Sequence, residues 1–139
     1  MRAVVLDSEA INLLASRGSG RAMGKVRAAL TAAQAENPRV LVPANVLAEV
    51  CRGGAYNQRI DSCLGRHTGI EVVPTDRALA KLIGGLLAAA ALGSEHNVDA
   101  TVVAVALSLG GGIILTGDPR DLTRIAGTQT LCAITIETL

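Results

Sequence analysis

The chain alternates short apolar runs with longer segments in which apolar residues recur every three or four positions. Short apolar runs bounded by glycine, proline or charged residues are typical of buried strands, and the longer spacing is typical of helices that pack one face on a core. The pattern predicts strands at about residues 3–6, 39–43, 70–76, 113–115 and 131–136. It predicts helices at about residues 9–14, 21–36, 43–52, 57–66, 75–90 and 94–110, with a further helix beginning at residue 119.

Two of these helices have well-defined apolar faces. The helix from Thr75 is the most regular, because its apolar residues recur at helical spacing over four turns. The helix over 94–110 is expected to bury one face formed by Val98, Val102, Val105 and Leu109 and to stop at Gly110. At two other helix starts, Ser8 is expected to act as a cap and Pro43 to occupy the first turn.

Alternation of strands and helices over the whole length predicts an α/β fold. The expected architecture is a three-layer sandwich with a central, mainly parallel sheet of four to five strands, flanked by helices. At 139 residues, without an internal repeat or a linker-like segment, residues 1–139 are expected to form a single domain.

Composition excludes several functional classes. The chain has no Trp, no Phe and one Tyr, so it lacks the aromatic residues on which single-stranded bases stack. Its three cysteines, Cys51, Cys63 and Cys132, have no metal-binding spacing and are expected to be buried apolar residues in a reducing cytoplasm. No apolar stretch is long enough to cross a bilayer, and no signal peptide precedes the first strand, so a cytoplasmic location is expected.

Four carboxylates fall at related places in the predicted fold. Asp7 and Asp118 follow the first and fourth strands, Asp99 lies in the first turn of an apolar helix, and Glu49 lies in the helix after the second strand. Ligands of open α/β sheets bind where the carboxyl ends of the strands meet. Carboxylates brought together there repel, by roughly 4 kcal/mol per pair at 4 Å and an effective dielectric of 20, so the cluster needs either raised pKa values or a divalent cation. Oxygen ligands favour Mg²⁺ or Mn²⁺, which can activate water to hydrolyse a phosphodiester.

Each acid also has a purely structural interpretation. Asp7 and Asp118 could cap helices, and Asp99 could complement a helix dipole. Glu49 could form an ion pair with Arg52, three residues further along the helix. Only the joint placement of the four acids favours a metal site.

Three segments resemble PIN-domain ribonucleases, and closely the VapC-type toxins of type II toxin–antitoxin systems. These segments are "VVLDSEA", "VPANVLAEVCRG" and "HNVDATVVAVALSLGGGIILTGDPRDL", in that order along the chain. The resemblance implies a PIN-like fold and a Mg²⁺-dependent endoribonuclease, with Mn²⁺ as a substitute metal. Asp7, Glu49, Asp99 and Asp118 would be both the metal ligands and the catalytic residues. It further implies cleavage of structured tRNA or rRNA, a homodimer, and a cognate antitoxin protein that blocks the site.

Several neighbours of these acids have less certain assignments. By the same resemblance, Thr116 would orient Asp118 or contact the metal shell. Asp121 is either a supporting acid of the site or a helix cap, and Glu9 is either an extra acid beside the site or a solvent-facing residue at a helix start. His96 is expected at a helix start without a catalytic role, because a metal makes a protein base unnecessary.

Arginines are the candidates for holding an RNA backbone. Among 13 basic residues only Lys25 and Lys81 are lysines, and arginine binds phosphates through its planar fork. A high-GC genome produces the same bias without a structural reason, and solvated surface arginines are the ordinary alternative. The candidates near the predicted edge are Arg52, Arg59, Arg66 and Arg120, together with His67.

Other functions are compatible with parts of the pattern. A catalytically silent PIN-like protein-binding module is the main alternative, although such a module would be free to lose one of the four acids. A phosphotransfer receiver domain requires a lysine after its last strand, and neither Lys25 nor Lys81 is so placed. A haloacid-dehalogenase-like phosphatase requires Asp-x-Asp after the first strand, where this chain has Asp7-Ser8-Glu9.

Overall fold

The computed structural model describes residues 3–16, 19–36, 39–66, 69–127 and 134–139. The strands within these ranges are β1 (Ala3–Leu6), β2 (Val40–Pro43), β3 (Ile70–Val73), β4 (Gly112–Thr116) and β5 (Ile134–Thr138). The helices are α1 (Ser8–Ser16), α2 (Arg21–Glu36), α3 (Ala44–Val50), α4 (Gly54–Arg66), α5 (Arg77–Ala89), α6 (Asn97–Ser108) and α7 (Pro119–Ala126). A 3₁₀ turn over Ser94–His96 leads into α6.

The five strands form one parallel sheet in the order β3-β2-β1-β4-β5. Val5 in β1 is aligned with Leu41 in β2 and with Ile114 in β4. The predicted α/β sandwich is therefore confirmed, with all the described strands parallel. The chain builds the sheet outward from β1 to β3 and then returns to the other side of β1, so the topological switch point lies between β1 and β4.

The core is aliphatic and is centred on β1, whose four residues are all buried. Helix α6 packs on β1, β2 and β4 and is itself flanked by α5 and α7. For this reason α6 is buried on every side from Ala100 to Ala106, whereas the sequence pattern predicted a single buried face. At the ends of that predicted face, Val98 and Leu109 are only partly buried.

Two predicted helix starts differ from the observed ones. Helix α1 begins at Ser8 itself, and the preceding Asp7 accepts a hydrogen bond from the Ser8 backbone N–H at 2.7 Å, so Ser8 is not the cap. Pro43 is the last residue of β2 and precedes α3 in extended conformation (φ −63°, ψ 140°), so it is not in the first turn. Only Asp7 separates β1 from α1, and β2 continues into α3 with no residue between them.

Other boundaries shift by a few residues. Helix α3 ends at Val50 because Cys51 is extended (φ −72°, ψ 118°). Helix α4 begins at Gly54, earlier than predicted. Gly53 and Gly54 both have positive φ, so the chain turns sharply at the start of this helix. The predicted strand over 131–136 is observed from residue 134, and its first residues, including Cys132, lie outside the described ranges. Within the described part of the chain, no helix has the length and apolar character needed to cross a membrane.

Candidate active site

A cleft of about 490 Å³ opens at the carboxyl ends of β1 and β4, which is the switch point of the sheet. All four predicted acids line this cleft, although they reach it from four different elements. The lining residues are Asp7, Ser8, Glu9, Glu49, Asp99, Thr116, Gly117, Asp118, Asp121 and Leu139.

Asp7 is the most rigidly held of the four acids. Its backbone N–H continues the β1–β4 ladder by donating to the carbonyl of Leu115 at 3.0 Å. Its side chain is only 7% exposed, and both carboxylate oxygens accept hydrogen bonds. Oδ1 accepts from the Ser8 N–H at 2.7 Å, and Oδ2 accepts from the Thr116 hydroxyl at 2.8 Å. A buried carboxylate held in this way has one orientation with respect to the cleft.

Thr116 bonds to the carboxylate of Asp7, which is one of the four predicted metal ligands, and to the backbone of Asp118. Its fully buried hydroxyl donates to the carboxylate of Asp7, while the Asp118 backbone N–H donates to that hydroxyl at 3.2 Å. Among the described contacts, Thr116 therefore touches only the backbone of Asp118. It orients the carboxylate of Asp7 and joins the ends of the two central strands.

Asp99 and Glu49 are the two acids of the cleft whose pKa values are raised. Burial above all, together with the charges of Asp7, Asp121 and Glu49, raises the pKa of Asp99 from 3.8 to about 6, against a smaller opposing effect of His96. Burial and the charge of Asp7 also raise the pKa of Glu49. A hydrogen bond with the Ser8 side chain and the charge of Arg52 oppose that increase in the Glu49 pKa. The acids thus repel one another in the absence of a cation.

We expect Asp99→Asn to stabilise the metal-free protein at neutral pH. The folded-state pKa of Asp99 lies above the unfolded value, so its charge destabilises the fold above pH 6 and has no effect once both states are protonated. A shift of this size corresponds to about 3 kcal/mol, which partial exposure to water reduces to about 1–2 kcal/mol. Urea unfolding in EDTA should show this gain at pH 7.5, and the gain should shrink as the pH falls through 6 and vanish only below the unfolded pKa of 3.8. A loss of stability at pH 7.5 would contradict the repulsion.

Asp118 and Asp121 lie on the more exposed side of the cleft. The Asp118 side chain is 67% exposed, and its Oδ1 caps α7 by accepting from the Arg120 N–H at 3.3 Å. Asp118 therefore fills the capping role that was one interpretation of Asp121. Asp121 lies in the first turn of α7, with its Oδ2 3.6 Å from Nδ1 of His96.

Glu9 is exposed but folds over the loop between β4 and α7. A Cβ atom added at Gly117 would lie 2.9 Å from Glu9 Cγ, which shows how closely the two residues pack. The side chain of Glu9 thus lines one side of the cleft, and it can pack against the loop because residue 117 is glycine.

His96 is the residue of this region whose contacts the sequence did not indicate. Its Nδ1 lies 3.9 Å from Asp99 Oδ2 and faces Asp121 as well. Among the described residues, the group whose potential metal-ligand atoms all lie within 4.8 Å of one another is His96, Asp99 and Asp121. The i, i+3 spacing of His96 and Asp99 is visible in the sequence, whereas the approach of Asp121 depends on the packing of α7 against α6.

None of the described arginine candidates is among the residues that line the cleft. Arg120 is nearest, with its Nε 3.8 Å from Asp118 Oδ1. The guanidinium of Arg52 donates to the backbone carbonyls of Ala48 and Cys51, so no ion pair with Glu49 is among the described contacts. Arg59 is exposed on α4 and Arg66 ends the same helix, while His67 lies outside the described residues.

The model of one protein family, described as the PIN domain, matches residues 4–128. This chain belongs to the PIN domain family. A solved structure of VapBC2 from Rickettsia felis, bound to a DNA fragment from the promoter, contains a chain with the same fold at a TM-score of 0.64. That chain is 14% identical in sequence, and the match covers 97% of this chain and 98% of the other. None of the curated proteins matches this chain.

The donor set of this PIN domain fits a hard divalent cation. Asp7, Glu49, Asp99 and Asp118 offer only carboxylate oxygens, the ligands that Mg²⁺ and Mn²⁺ prefer. The raised pKa values of Asp99 and Glu49 show that negative charge is in excess in the cleft. A cation bound among these carboxylates would relieve that excess.

Proposed function

We propose that this PIN domain is a Mg²⁺-dependent endoribonuclease and the toxin component of a toxin–antitoxin pair. The observation that carries the proposal is the cleft at the switch point of the sheet, where Asp7, Glu49, Asp99 and Asp118 meet. Membership of the PIN domain family supports nuclease chemistry at that cleft. The 139-residue chain would act as one nuclease domain in the cytoplasm.

In the proposed reaction the four acids are both metal ligands and catalytic residues. Mg²⁺, with Mn²⁺ as a substitute, would supply a Lewis acid and lower the pKa of a bound water that attacks the phosphodiester. Asp7 contributes a carboxylate of fixed orientation, since Ser8 and Thr116 hold both of its oxygens. Glu49 and Asp99 add charge from two helices, and the exposed Asp118 adjusts from the rim of the cleft.

The proposed substrate is structured RNA such as tRNA or rRNA. The cleft is lined mainly by polar and acidic residues and has no aromatic ring for base stacking, so the phosphate backbone is the part of RNA that it suits. The exposed Arg52, Arg59 and Arg120, together with Arg66 at the end of α4, are the proposed phosphate contacts around the cleft.

The proposed partners are a cognate antitoxin protein and a second copy of the chain. The likeness in fold to a chain of VapBC2 supports an antitoxin partner, because the VapC-type toxins that the sequence resembles pair with one. An antitoxin would act by covering the acidic cleft. A homodimer would bring two such clefts into one particle.

The decisive experiment is cleavage of a labelled pool of total tRNA and rRNA. Wild type should give discrete fragments with Mg²⁺, none with EDTA, and the same fragments again when excess Mg²⁺ is restored. Glu49→Gln should give none, whereas the control Glu71→Gln should cleave like wild type, because Glu71 is paired with Arg39 on the exposed edge strand β3. If the folded wild type binds Mg²⁺ and yields no fragments, the silent protein-binding module replaces the nuclease.

Thr116→Val tests the hydrogen bond that orients Asp7. Valine keeps the shape of threonine but removes the hydroxyl that donates to Asp7 and accepts from the Asp118 N–H. We expect kcat for RNA cleavage to fall about 10–100-fold, as for other groups that orient metal ligands. Thr116→Ser retains the hydroxyl and should keep most of the activity. A loss of activity in Thr116→Ser without a loss in Thr116→Val would show that the methyl group, not the hydroxyl, matters.

A further inference from the structure

His96 occupies an unusual position for a surface histidine. Its side chain is 23% exposed, and it lies in the 3₁₀ turn that leads into α6, beside the acidic cleft. Its Nδ1 faces Asp121 Oδ2 at 3.6 Å and Asp99 Oδ2 at 3.9 Å, both beyond hydrogen-bond length. One imidazole nitrogen and two carboxylate oxygens thus lie within 4.8 Å of one another without hydrogen bonds between the imidazole and either carboxylate.

The other ring nitrogen faces a third carboxylate. Nε2 of His96 lies 3.8 Å from Glu95 Oε1. The Glu95 side chain folds back over Gly93, where an added Cβ atom would meet its carboxylate. Metal-binding histidines usually donate their second N–H to a carboxylate, which fixes the tautomer that leaves the first nitrogen free to bind. At 3.8 Å Glu95 is beyond hydrogen-bond length, but a movement of its exposed side chain would let it accept from Nε2 and leave Nδ1 free to bind a metal.

We propose that His96, Asp99 and Asp121 form a second cation subsite, selective for first-row transition metals over Mg²⁺, which shares Asp99 with the four-carboxylate cleft. The nitrogen donor determines the selectivity, because imidazole suits Zn²⁺, Co²⁺ and similar ions, whereas Mg²⁺ prefers oxygen ligands alone. Asp99 and Asp121 both line the cleft, so a cation reaches this subsite from the same opening.

The observed spacing requires a small contraction on binding. Ligand atoms at about 2.0–2.1 Å from a four- or six-coordinate metal lie about 3.0–3.4 Å apart, so the distances of 3.6 and 3.9 Å must shorten by about 0.2–0.9 Å. The side chains of Asp99 and Asp121 are 32% and 46% exposed, which leaves them room to move. The repulsion between these two carboxylates, which contributes to the raised pKa of Asp99, would be relieved by the ion.

Titration calorimetry with Co²⁺ alone and with Mg²⁺ alone tests the subsite. His96→Gln and Asp121→Asn should each lower Co²⁺ affinity at least about tenfold, the range seen when a metal site loses a supporting group. His96→Gln should leave Mg²⁺ affinity within about twofold, because oxygen ligands determine that affinity. The control Glu71→Gln, which removes a distant paired carboxylate, should change neither affinity.

Glu49→Gln distinguishes Co²⁺ binding at this subsite from Mg²⁺ binding at the four-carboxylate cleft of the proposed nuclease. Because Glu49 is not part of the subsite, its variant should weaken Mg²⁺ binding more than Co²⁺ binding. Unchanged Co²⁺ affinity in His96→Gln would overturn the subsite and leave His96 as an ion-pair partner of the two carboxylates, whether or not RNA is cleaved. Equal losses of Co²⁺ and Mg²⁺ affinity in His96→Gln would also overturn it. Urea unfolding of each variant verifies that the protein used is folded.

Discussion

Asp7→Asn is expected to lower the rate of Mg²⁺-dependent RNA cleavage about a thousandfold, which corresponds to about 4 kcal/mol of lost transition-state stabilisation. Asparagine has the shape of aspartate and can still accept from the Ser8 N–H, so the local backbone should be unchanged. The variant removes the one carboxylate in the cleft that is both buried and fixed at two oxygens. It also removes a charge that raises the pKa values of Asp99 and Glu49, so both should ionise at lower pH.

Stability measurements distinguish this effect from unfolding. The amide cannot accept from the Thr116 hydroxyl as the carboxylate does, and loss of one such hydrogen bond costs about 1 kcal/mol. Relief of repulsion with Glu49 and Asp99 acts in the opposite direction, so urea unfolding in EDTA should differ little from wild type. Asp61→Asn, on the exposed side of α4, is the matched control and should retain full activity. A variant at Asp7 that is stable and still active would remove this residue from the proposed mechanism.

Gly112→Ala is expected to destabilise the fold by about 3 kcal/mol, at the upper end of the usual cost of overpacking. Gly112 is the first residue of β4 and is aligned with Ala3 of β1 in the centre of the sheet. A Cβ atom at this position would lie 2.6 Å from the carbonyl oxygen of Ala3, which is held in the parallel ladder and cannot move aside alone. To accommodate the alanine, either β1 and β4 must move apart or the hydrogen bonds between them must shift.

The matched control for this substitution is Gly84→Ala in α5. Gly84 is exposed in the middle of a helix, and a Cβ atom there would have nothing within 4 Å. Alanine is the better helix former, so this variant should be more stable than wild type by about 0.5–1 kcal/mol. Urea midpoints of the two variants should therefore move in opposite directions. Equal midpoints would contradict the close approach of β4 and β1.

The acids at the ends of strands were predictable from local patterns. Asp7 directly follows a buried apolar run, and Asp118 follows Thr116 and Gly117 after another. The carboxyl ends of parallel strands in an α/β fold lie at the same edge of the sheet, so acids that follow these strands are expected at that edge. The cleft that contains both residues is consistent with that reasoning.

Contacts that depend on the relative placement of distant elements were not predictable. Thr116 and Asp7 are 109 positions apart, and their hydrogen bond requires β4 to lie beside β1 and not at an edge of the sheet. His96 meets Asp121 only because α7 packs beside α6. The burial of α6 on every side has the same origin, since a one-dimensional pattern of Ala and Val does not reveal how many neighbours a helix has.

The strand order has a consequence for how the protein is made. β1 is synthesised first, but its partner β4 follows more than a hundred residues later, so the central pairing has a high contact order and forms slowly. Chains emerge from the ribosome from the amino terminus onward, and a growing chain that ends before residue 112 has an unpaired side of β1 and no Thr116 to hold Asp7. The arrangement that orients Asp7 therefore exists only in a nearly finished chain, so a nascent chain would lack the complete site that we propose cleaves RNA.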